Sequence, residues 1–174
     1  MKQPDLRTER LILRSFRTED ASEVRKLAGN YNVSKMTLNI PYPYKPGMAE
    51  DWIGSHQGNW EARTRVAYAI VKQDSQQLLG TVSLVSIDEA QGELGYWIGE
   101  PYWGMGYCTE AAKKLIQFSF QTLGLKKIVA EHLTSNPASG KVMEKAGMRH
   151  VLTTQKVDRH GGNASMEVYE IQHT

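Results

Sequence analysis

Hydrophobic and polar positions along the chain follow two periods, and their order predicts an α+β protein. Alternation with a period of two, or a short apolar run bounded by turn residues, predicts seven strands. A period near 3.6 predicts four helices. The strands are expected at residues 11–16, 66–72, 78–87, 93–98, 128–133, 149–157 and 165–171, and the helices from residue 18 and over 48–61, 106–123 and 137–146.

The order of these elements predicts the layers of the fold. Three central strands have the turn signals of an antiparallel meander, and the second half alternates helix and strand. We therefore expect a three-layer arrangement with helices on both faces of a mixed, mostly antiparallel sheet. Thr18 is expected to cap the first helix. Residues 39–47, with three prolines and two tyrosines, are expected to form an ordered loop.

A glycine-containing segment joins the fourth predicted strand to the longest helix. Residues 102–110 are Tyr-Trp-Gly-Met-Gly-Tyr-Cys-Thr-Glu. The first amides of a helix lack intrahelical partners, and glycine lets the backbone approach a phosphate closely, so this segment is a candidate anion site. An ordinary strand-to-helix turn has the same features. The segment lacks the third glycine of a dinucleotide fingerprint and the Gly-Lys-Ser/Thr of a P-loop, which disfavours NTPase and nucleotide-dependent oxidoreductase chemistry.

Four segments, in order, resemble the GNAT superfamily of N-acetyltransferases, and within it the RimJ/RimL-like branch of ribosomal-protein N-terminal acetyltransferases. The second and third segments resemble motif A of that superfamily, and the fourth resembles motif B. Pro101 stands where motif A usually has arginine or glutamine, and little loss is expected because the phosphate contacts are mostly backbone amides. The four segments are Thr8–Arg14, Glu93–Ile98, Tyr102–Ala111 and Asn136–Met148.

The resemblance implies that the chain moves the acetyl group of acetyl-CoA to a primary amine, on a sheet splayed between its fourth and fifth strands. It implies that the pyrophosphate lies on the glycine turn and the pantetheine along the fourth strand. Asn136 is expected to cap the next helix and, by resemblance, to contact pantetheine. The implied cofactor-binding residues are Trp97, Ile98, Gly99, Trp103, Gly104, Met105, Gly106, Tyr107, Cys108, Thr109, Asn136 and Ser139.

Two residues are candidates for acid–base catalysis. Direct attack on a thioester needs a base, because an amine with a pKa of about 8–10 is mostly protonated at neutral pH. Glu93 is the candidate base because strand alternation places it beside the cleft, on the face of Gly95 and Trp97. It could act directly or through a water. The alternative is that Glu93 is an exposed carboxylate at a strand end without a catalytic role. Ser139 is implied to protonate the departing thiolate, and its alternative is a serine that bonds its own helix backbone.

Cys108 offers a competing mechanism. A thiol at a helix N-terminus has a lowered pKa and is a potential acetylated nucleophile. No histidine lies near it in sequence, and Cys108 also fits the apolar stripe of the long helix. We therefore expect direct attack in a ternary complex rather than an acetyl-enzyme.

Aromatic residues outside these motifs are candidates for the acceptor site. Tyr42, Tyr44 and Trp52 are expected to form its wall, because rigid aromatic loops suit peptide or amine recognition, although core or dimer contacts explain them equally well. A protein or peptide N-terminal α-amine is the favoured acceptor. A small-molecule amine (an amino acid, aminoglycoside or polyamine) is the alternative, and a non-catalytic acyl-CoA sensor is an alternative of another class. Polyamines are slightly disfavoured, because Glu50 and Asp51 are the only acids of residues 39–60.

The amino-acid composition mainly excludes kinds of site and classes of partner. With 174 residues and one cysteine, the chain is expected to form a single domain, residues 1–174, without an internal disulfide. The five histidines show no metal-ligand spacing, so no metal is expected. A net charge of +2 without a basic block disfavours a nucleic-acid partner. No signal peptide or apolar run of about 20 residues is present, so a cytoplasmic location without membrane association is expected. The resemblance also implies that the chain forms a homodimer.

Overall fold

A computed structural model describes all 174 residues, which form one continuous eight-stranded sheet with helices on both faces. The strands are β1 (Leu6–Arg7), β2 (Leu11–Arg14), β3 (Val66–Lys72), β4 (Leu78–Asp88), β5 (Gln91–Ile98), β6 (Lys127–Leu133), β7 (Arg149–Val157) and β8 (Asn163–Gln172). The helices are α1 (Ala21–Ala28), α2 (Tyr31–Ser34), α3 (Met48–Gly54), α4 (His56–Ala62), α5 (Tyr107–Gln121) and α6 (Pro137–Lys145). No helix is both long and apolar enough to cross a membrane.

The strand order creates a cleft in the middle of the sheet. The order is β1-β2-β3-β4-β5-β6-β8-β7, and only β5 and β6 run parallel. Their pairing ends at Leu94 and Ala130, whereas β5 continues to Ile98 and β6 to Leu133. The two strands therefore separate beyond the Leu94–Ala130 pair, which we call the vertex. This confirms the expected splay.

The two faces of the sheet carry separate hydrophobic clusters. A cluster of 24 buried residues lies beneath α5, where Leu94 and Ile98 pack with Leu115. A second cluster of 7 buried residues lies beneath α1 and α3, and Trp97 packs against it. Successive strand residues point to opposite faces, so Glu93 shares the face of Trp97. We call these the α5 face and the α1 face; α6 packs beside α5 on the α5 face.

The structure confirms the α+β class and the layered arrangement, and it differs from the expectation in short elements. β1 is an eighth strand of only two residues, and α2 has four, so neither is long enough to show a period. The expected helix over 48–61 is divided at Ser55, whose hydroxyl donates to the Trp52 carbonyl at 2.7 Å. Such a bond competes with the helix ladder.

Thr18 does not cap the first helix, so that expectation is wrong. Residues Thr18–Asp20 form a 3-10 turn ahead of α1. The carboxylate of Asp20 accepts the Arg17 amide at 2.8 Å and also receives two bonds from the Arg14 guanidinium, at 2.8 and 2.9 Å. An arginine from β2 therefore fixes the start of α1, and a local capping rule does not detect such a contact.

His56, at the start of α4, lies among aromatic rings. Its ring centroid is 4.5 Å from that of Trp52 and 5.4 Å from that of Phe16, and neither ring nitrogen has a hydrogen-bond partner. Burial lowers the pKa of His56 from 6.5 to about 4, because the charged ring would lose its hydration.

We expect the protein to lose stability as pH falls from 6.5 toward about 4, and the substitution His56→Phe to remove this loss. Between these values the unfolded chain binds a proton at position 56 and the folded chain does not, so acid favours unfolding. At about 1.4 kcal/mol per pKa unit, the loss is at most about 3.5 kcal/mol. Urea unfolding at about pH 7 and about pH 4.5 measures it. His160→Gln, in an exposed hairpin, is the control; an unchanged pH dependence in His56→Phe would contradict the prediction.

Candidate active site

The glycine turn between β5 and α5 presents a row of backbone amides. Gly104 and Gly106 have φ angles of 75° and 79°, which glycine adopts without strain. The first hydrogen bond of α5 joins the Glu110 amide to the Gly106 carbonyl at 3.1 Å, and no amide of residues 104–109 donates to a backbone carbonyl. These amides at a helix N-terminus suit a pyrophosphate. The turn brings together Trp103, Gly104, Met105, Gly106, Tyr107, Cys108 and Thr109.

Contacts from the loop between β1 and β2, which we call the buttress, hold this turn. The Glu110 carboxylate accepts the Thr8 hydroxyl at 2.6 Å, the Arg10 amide at 2.8 Å and Arg10 Nε at 2.7 Å. Arg10 Nη1 donates to the Met105 carbonyl at 2.9 Å, and the guanidinium lies 4.5 Å from the centre of the Tyr107 ring. Burial alone would raise the pKa of Glu110, but the bonds from Thr8 and Arg10 outweigh it and lower that pKa. The carboxylate therefore stays ionised and keeps the buttress closed.

Peptide groups of β5 line the cleft beyond the vertex. The Trp97 carbonyl points at β4, since a Cβ built on Gly80 would lie only 2.1 Å from it. The Gly99 amide donates to the Leu79 carbonyl of β4 at 2.8 Å. The peptide groups of residues 97 and 99 therefore face β4. Alternation then turns those of Tyr96 and Ile98 toward the cleft. The Ile98 carbonyl accepts the Trp103 indole at 2.7 Å. Of the expected strand contacts for pantetheine, Ile98 is therefore the one whose backbone faces the cleft.

Glu93 lies on the α1 face, one residue before the vertex. The Ser86 hydroxyl donates to Glu93 at 3.4 Å. Glu131, one residue past the vertex on β6, forms an ion pair with Lys156. Burial raises the pKa of Glu93 and the charge of Glu131 raises it further, while Lys156 and the Ser86 hydrogen bond act in the opposite direction. A carboxylate with a raised pKa is a stronger base at neutral pH.

Ser139 lies in the first turn of α6, on the α5 face. The Tyr96 hydroxyl donates to the Ser139 carbonyl at 2.8 Å, and the Tyr96 oxygen is 2.9 Å from Ser139 Oγ. Burial raises the pKa of Tyr96, so this phenol stays protonated. Asn136 occupies the N-cap position of α6, but its side chain makes no capping bond and donates instead to the Met36 carbonyl at 3.2 Å. The expected capping role of the Asn136 side chain is therefore wrong.

Cys108 is a poor nucleophile in this setting. Its side chain packs against the large cluster beneath α5. Burial raises the pKa of its thiol, which leaves little thiolate at neutral pH. The thiolate is the reactive form, so the environment favours direct attack by the amine over an acetyl-cysteine intermediate.

The candidate acceptor residues fall into two groups. Tyr42 is exposed and lines a surface cavity of about 480 Å³ between its loop and the β7–β8 hairpin. Tyr44 and Trp52 pack against the smaller cluster beneath α1 and α3. The cavity is lined by Leu38, Asn39, Pro41, Tyr42, Val157, Asp158, Arg159 and His160.

Sequence reasoning missed three residues at this site. Tyr96 has the strand position of a core residue, and its hydroxyl among aliphatic neighbours was the available signal. Glu131 is an isolated acid in an apolar strand, and it comes near Glu93 only through the parallel β5–β6 register. Arg10 reaches the turn across about a hundred residues of chain, which no local pattern reveals.

Known proteins resemble this chain in sequence or in fold. Residues 10–149 match the acetyltransferase (GNAT) domain family. The uncharacterized N-acetyltransferase p20 of Bacillus licheniformis is 31% identical over 79% of this chain and 78% of its own. The uncharacterized N-acetyltransferase YoaA of Bacillus subtilis (strain 168) is 26% identical over 97% of this chain and 96% of its own. The structure of RimL, a ribosomal L7/L12 α-N-protein acetyltransferase in complex with coenzyme A, matches with a TM-score of 0.88 at 15% identity, over 97% of this chain and 98% of that one.

The family match and the geometry point to the same cofactor. The match spans most of the chain and includes Arg10 and Glu110 of the buttress, the vertex and the glycine turn. Free amides at a helix N-terminus, next to a cleft with unpaired strand backbone, fit the pyrophosphate and the pantetheine of acetyl-CoA. The chain therefore belongs to the GNAT acetyltransferase family and is an acetyl-CoA-dependent N-acetyltransferase.

Proposed function

We propose that the enzyme transfers acetyl by direct attack of a primary amine within a ternary complex, with Glu93 as the base and Ser139 as the acid. One observation carries this proposal: Glu93 lies one residue before the vertex on the α1 face, and Ser139 contacts Tyr96, two residues past the vertex, from the α5 face. A thioester lying in the cleft would then have a carboxylate on the side of the incoming amine. Its sulfur would have a hydroxyl on the other side.

The proposed reaction removes two protons from the ammonium of the acceptor and returns one to the coenzyme thiol. The ammonium of the acceptor loses one proton to Glu93, directly or through a water, and its nitrogen lone pair attacks the thioester carbonyl carbon. The carbon–sulfur bond then breaks, with its electron pair remaining on sulfur, and the nitrogen gives a second proton to solvent water as the amide forms. Glu93 also passes its proton to solvent. Sulfur takes a proton from Ser139, which regains one from solvent. One turnover thus releases one proton in net.

We further propose that the acceptor is a protein or peptide N-terminal α-amine that enters through the cavity beside Tyr42. The lining holds Arg159 and His160 against a single acid, Asp158, whose carboxylate already accepts the amides of His160 and Gly162 at 2.8 and 2.9 Å. This balance disfavours a polycation. The name of RimL states a ribosomal-protein acceptor, and the shared fold supports the same class here.

An acceptor panel tests this proposal by release of the free coenzyme thiol. The panel contains lysine-free peptides with a free α-amine, the same peptides with an acetylated α-amine and one added lysine, spermidine, an aminoglycoside and single amino acids. We expect release with the free α-amine peptides. Faster release with spermidine, the aminoglycoside or an amino acid would replace the proposal by the small-molecule alternative. Binding of acetyl-CoA without release for any acceptor would favour the sensor alternative.

We also propose that residues 1–174 act as one domain, in the cytoplasm, and as a homodimer. The support for a dimer is β7, one of the two edge strands of the sheet, which exposes Val151, Leu152 and Val157. Edge strands with exposed apolar side chains are prone to pair with another chain. Light scattering after gel filtration tests this, with Leu152→Lys expected to give a monomer. A monomeric parent protein would end the dimer proposal.

A further inference from the structure

We propose that Tyr96 is a positioning residue for Ser139: its hydroxyl orients the serine hydroxyl and supplies a replacement hydrogen bond when that hydroxyl turns to the leaving sulfur. The inference rests on the proposed function, in which Ser139 is the acid. It adds a residue of β5 to the catalytic apparatus, on the face opposite Glu93.

The two hydrogen bonds of Tyr96 fix the resting orientation of both protons. The Ser139 carbonyl can only accept, so the contact of 2.8 Å uses the Tyr96 proton. The contact of 2.9 Å between the two hydroxyl oxygens then uses the Ser139 proton, with Tyr96 as acceptor. In the resting enzyme the serine proton therefore points at Tyr96 and away from any third group.

Turnover requires a different arrangement of the same atoms. When the Ser139 hydroxyl turns toward sulfur, it no longer donates a hydrogen bond to the Tyr96 oxygen. The Ser139 oxygen can then accept a hydrogen bond from Tyr96. The Tyr96 proton lies within reach of both Ser139 oxygens and moves from the carbonyl to Oγ by rotation about the phenol C–O bond. The serine oxygen thus remains hydrogen-bonded as it gives up its proton, and no proton leaves Tyr96.

The surroundings of Tyr96 suit a hydroxyl that turns without ionising. The ring is partly buried against the large cluster beneath α5, near Cys108. Burial raises the pKa of Tyr96, and the neighbouring Cys108 and Tyr169 raise it as well, so a tyrosinate is disfavoured. Loss of the hydroxyl would leave an aromatic ring in an apolar site, so Tyr96→Phe is expected to fold.

A purely structural role makes a different prediction. The bond to the Ser139 carbonyl anchors the first turn of α6 to β5, and its loss alone would shift the whole turn. Tyr169 is a matched control, because it reaches the same helix from β8: its hydroxyl donates to Glu144 at 3.4 Å and makes no bond to Ser139. Tyr169→Phe removes the same atom from the same side of α6 without touching the acid.

The test is a double-mutant cycle of Tyr96→Phe and Ser139→Ala, with kcat and the KM for acetyl-CoA measured for each variant. We expect Ser139→Ala to lower kcat about 10- to 30-fold, Tyr96→Phe about 3- to 10-fold, and the double variant no further than Ser139→Ala, because residues that act as a unit are not additive. The KM for acetyl-CoA should stay within about twofold of the parent value. Tyr169→Phe should leave kcat unchanged.

The outcomes separate this inference from the proposed function. Three results would overturn the role of Tyr96 and leave Ser139 as the acid. They are a loss of kcat in the double variant equal to the product of the two single losses, an unchanged kcat in Tyr96→Phe, and a loss of kcat in Tyr169→Phe equal to that in Tyr96→Phe. An unchanged kcat in Ser139→Ala would overturn the acid itself, and the role of Tyr96 with it. Thermal unfolding of each variant verifies that the compared proteins are folded.

Discussion

Replacing Glu93 with glutamine is expected to lower kcat by about 10²- to 10⁴-fold, the range that general acid–base catalysis contributes. Glutamine keeps the shape of the side chain and its contact with the Ser86 hydroxyl but cannot accept the amine proton. In the parent enzyme, kcat should fall as pH drops through the raised pKa of Glu93, because the active form is the carboxylate. The variant should lose this acidic limb. Initial rates of thiol release across the pH range measure both effects.

Two further substitutions make the Glu93 result interpretable. Glu89→Gln changes an acid in the exposed turn between β4 and β5 and should leave the rate unchanged. Glu131→Gln removes the charge that raises the pKa of Glu93, so the acidic limb should move to lower pH. A Glu93→Gln enzyme with the parent kcat and pH profile would remove Glu93 from the mechanism.

The second large effect is expected at Arg10, which touches no reacting atom. Arg10→Ala should raise the KM for acetyl-CoA by about 30- to 100-fold, because it removes the bond to the Met105 carbonyl and leaves Glu110 with fewer partners. Loss of charge-assisted hydrogen bonds costs about 1.5–3 kcal/mol each. Part of the binding free energy of acetyl-CoA would then be used to order the glycine turn. Calorimetric titration with acetyl-CoA measures the affinity directly.

Arg7→Ala is the matched control for Arg10, since Arg7 is exposed on β1 and makes no salt bridge. It should leave acetyl-CoA affinity within about twofold of the parent value. Equal affinities of the Arg10→Ala variant and the parent would mean that the turn keeps its shape without the buttress. The phosphate site would then depend on the glycine backbone alone.

Local patterns predicted most of the fold because its long elements carry clear periods. The stripe that contains Ala111 and Leu115 defined α5, and alternation in residues 93–98 placed Leu94 and Trp97 on opposite sides of β5, as the two clusters show. Elements of two to four residues, such as β1 and α2, were missed because they hold too few positions to repeat. The class of the fold was predictable, and its shortest parts were not.

The contacts that organise the candidate site were harder to predict because they join distant parts of the chain. The motif Thr8–Arg14 was recognised as a resemblance, but its two arginines have separate roles: Arg10 braces the glycine turn and Arg14 fixes Asp20 ahead of α1. Asn136 was placed correctly at the start of α6, yet its side chain bonds Met36. Strand register and long-range contacts decide which partner each side chain bonds, and neither can be predicted from a short stretch of sequence.

An initial-rate study distinguishes direct transfer between two substrates bound together from transfer through an acetyl-enzyme. Thiol release is measured while acetyl-CoA is varied at several fixed concentrations of the best acceptor from the panel. We expect double-reciprocal lines that intersect, because both substrates bind before any product leaves. Parallel lines, together with a burst of thiol in the absence of acceptor, would contradict it, because they would reveal an acetyl-enzyme intermediate.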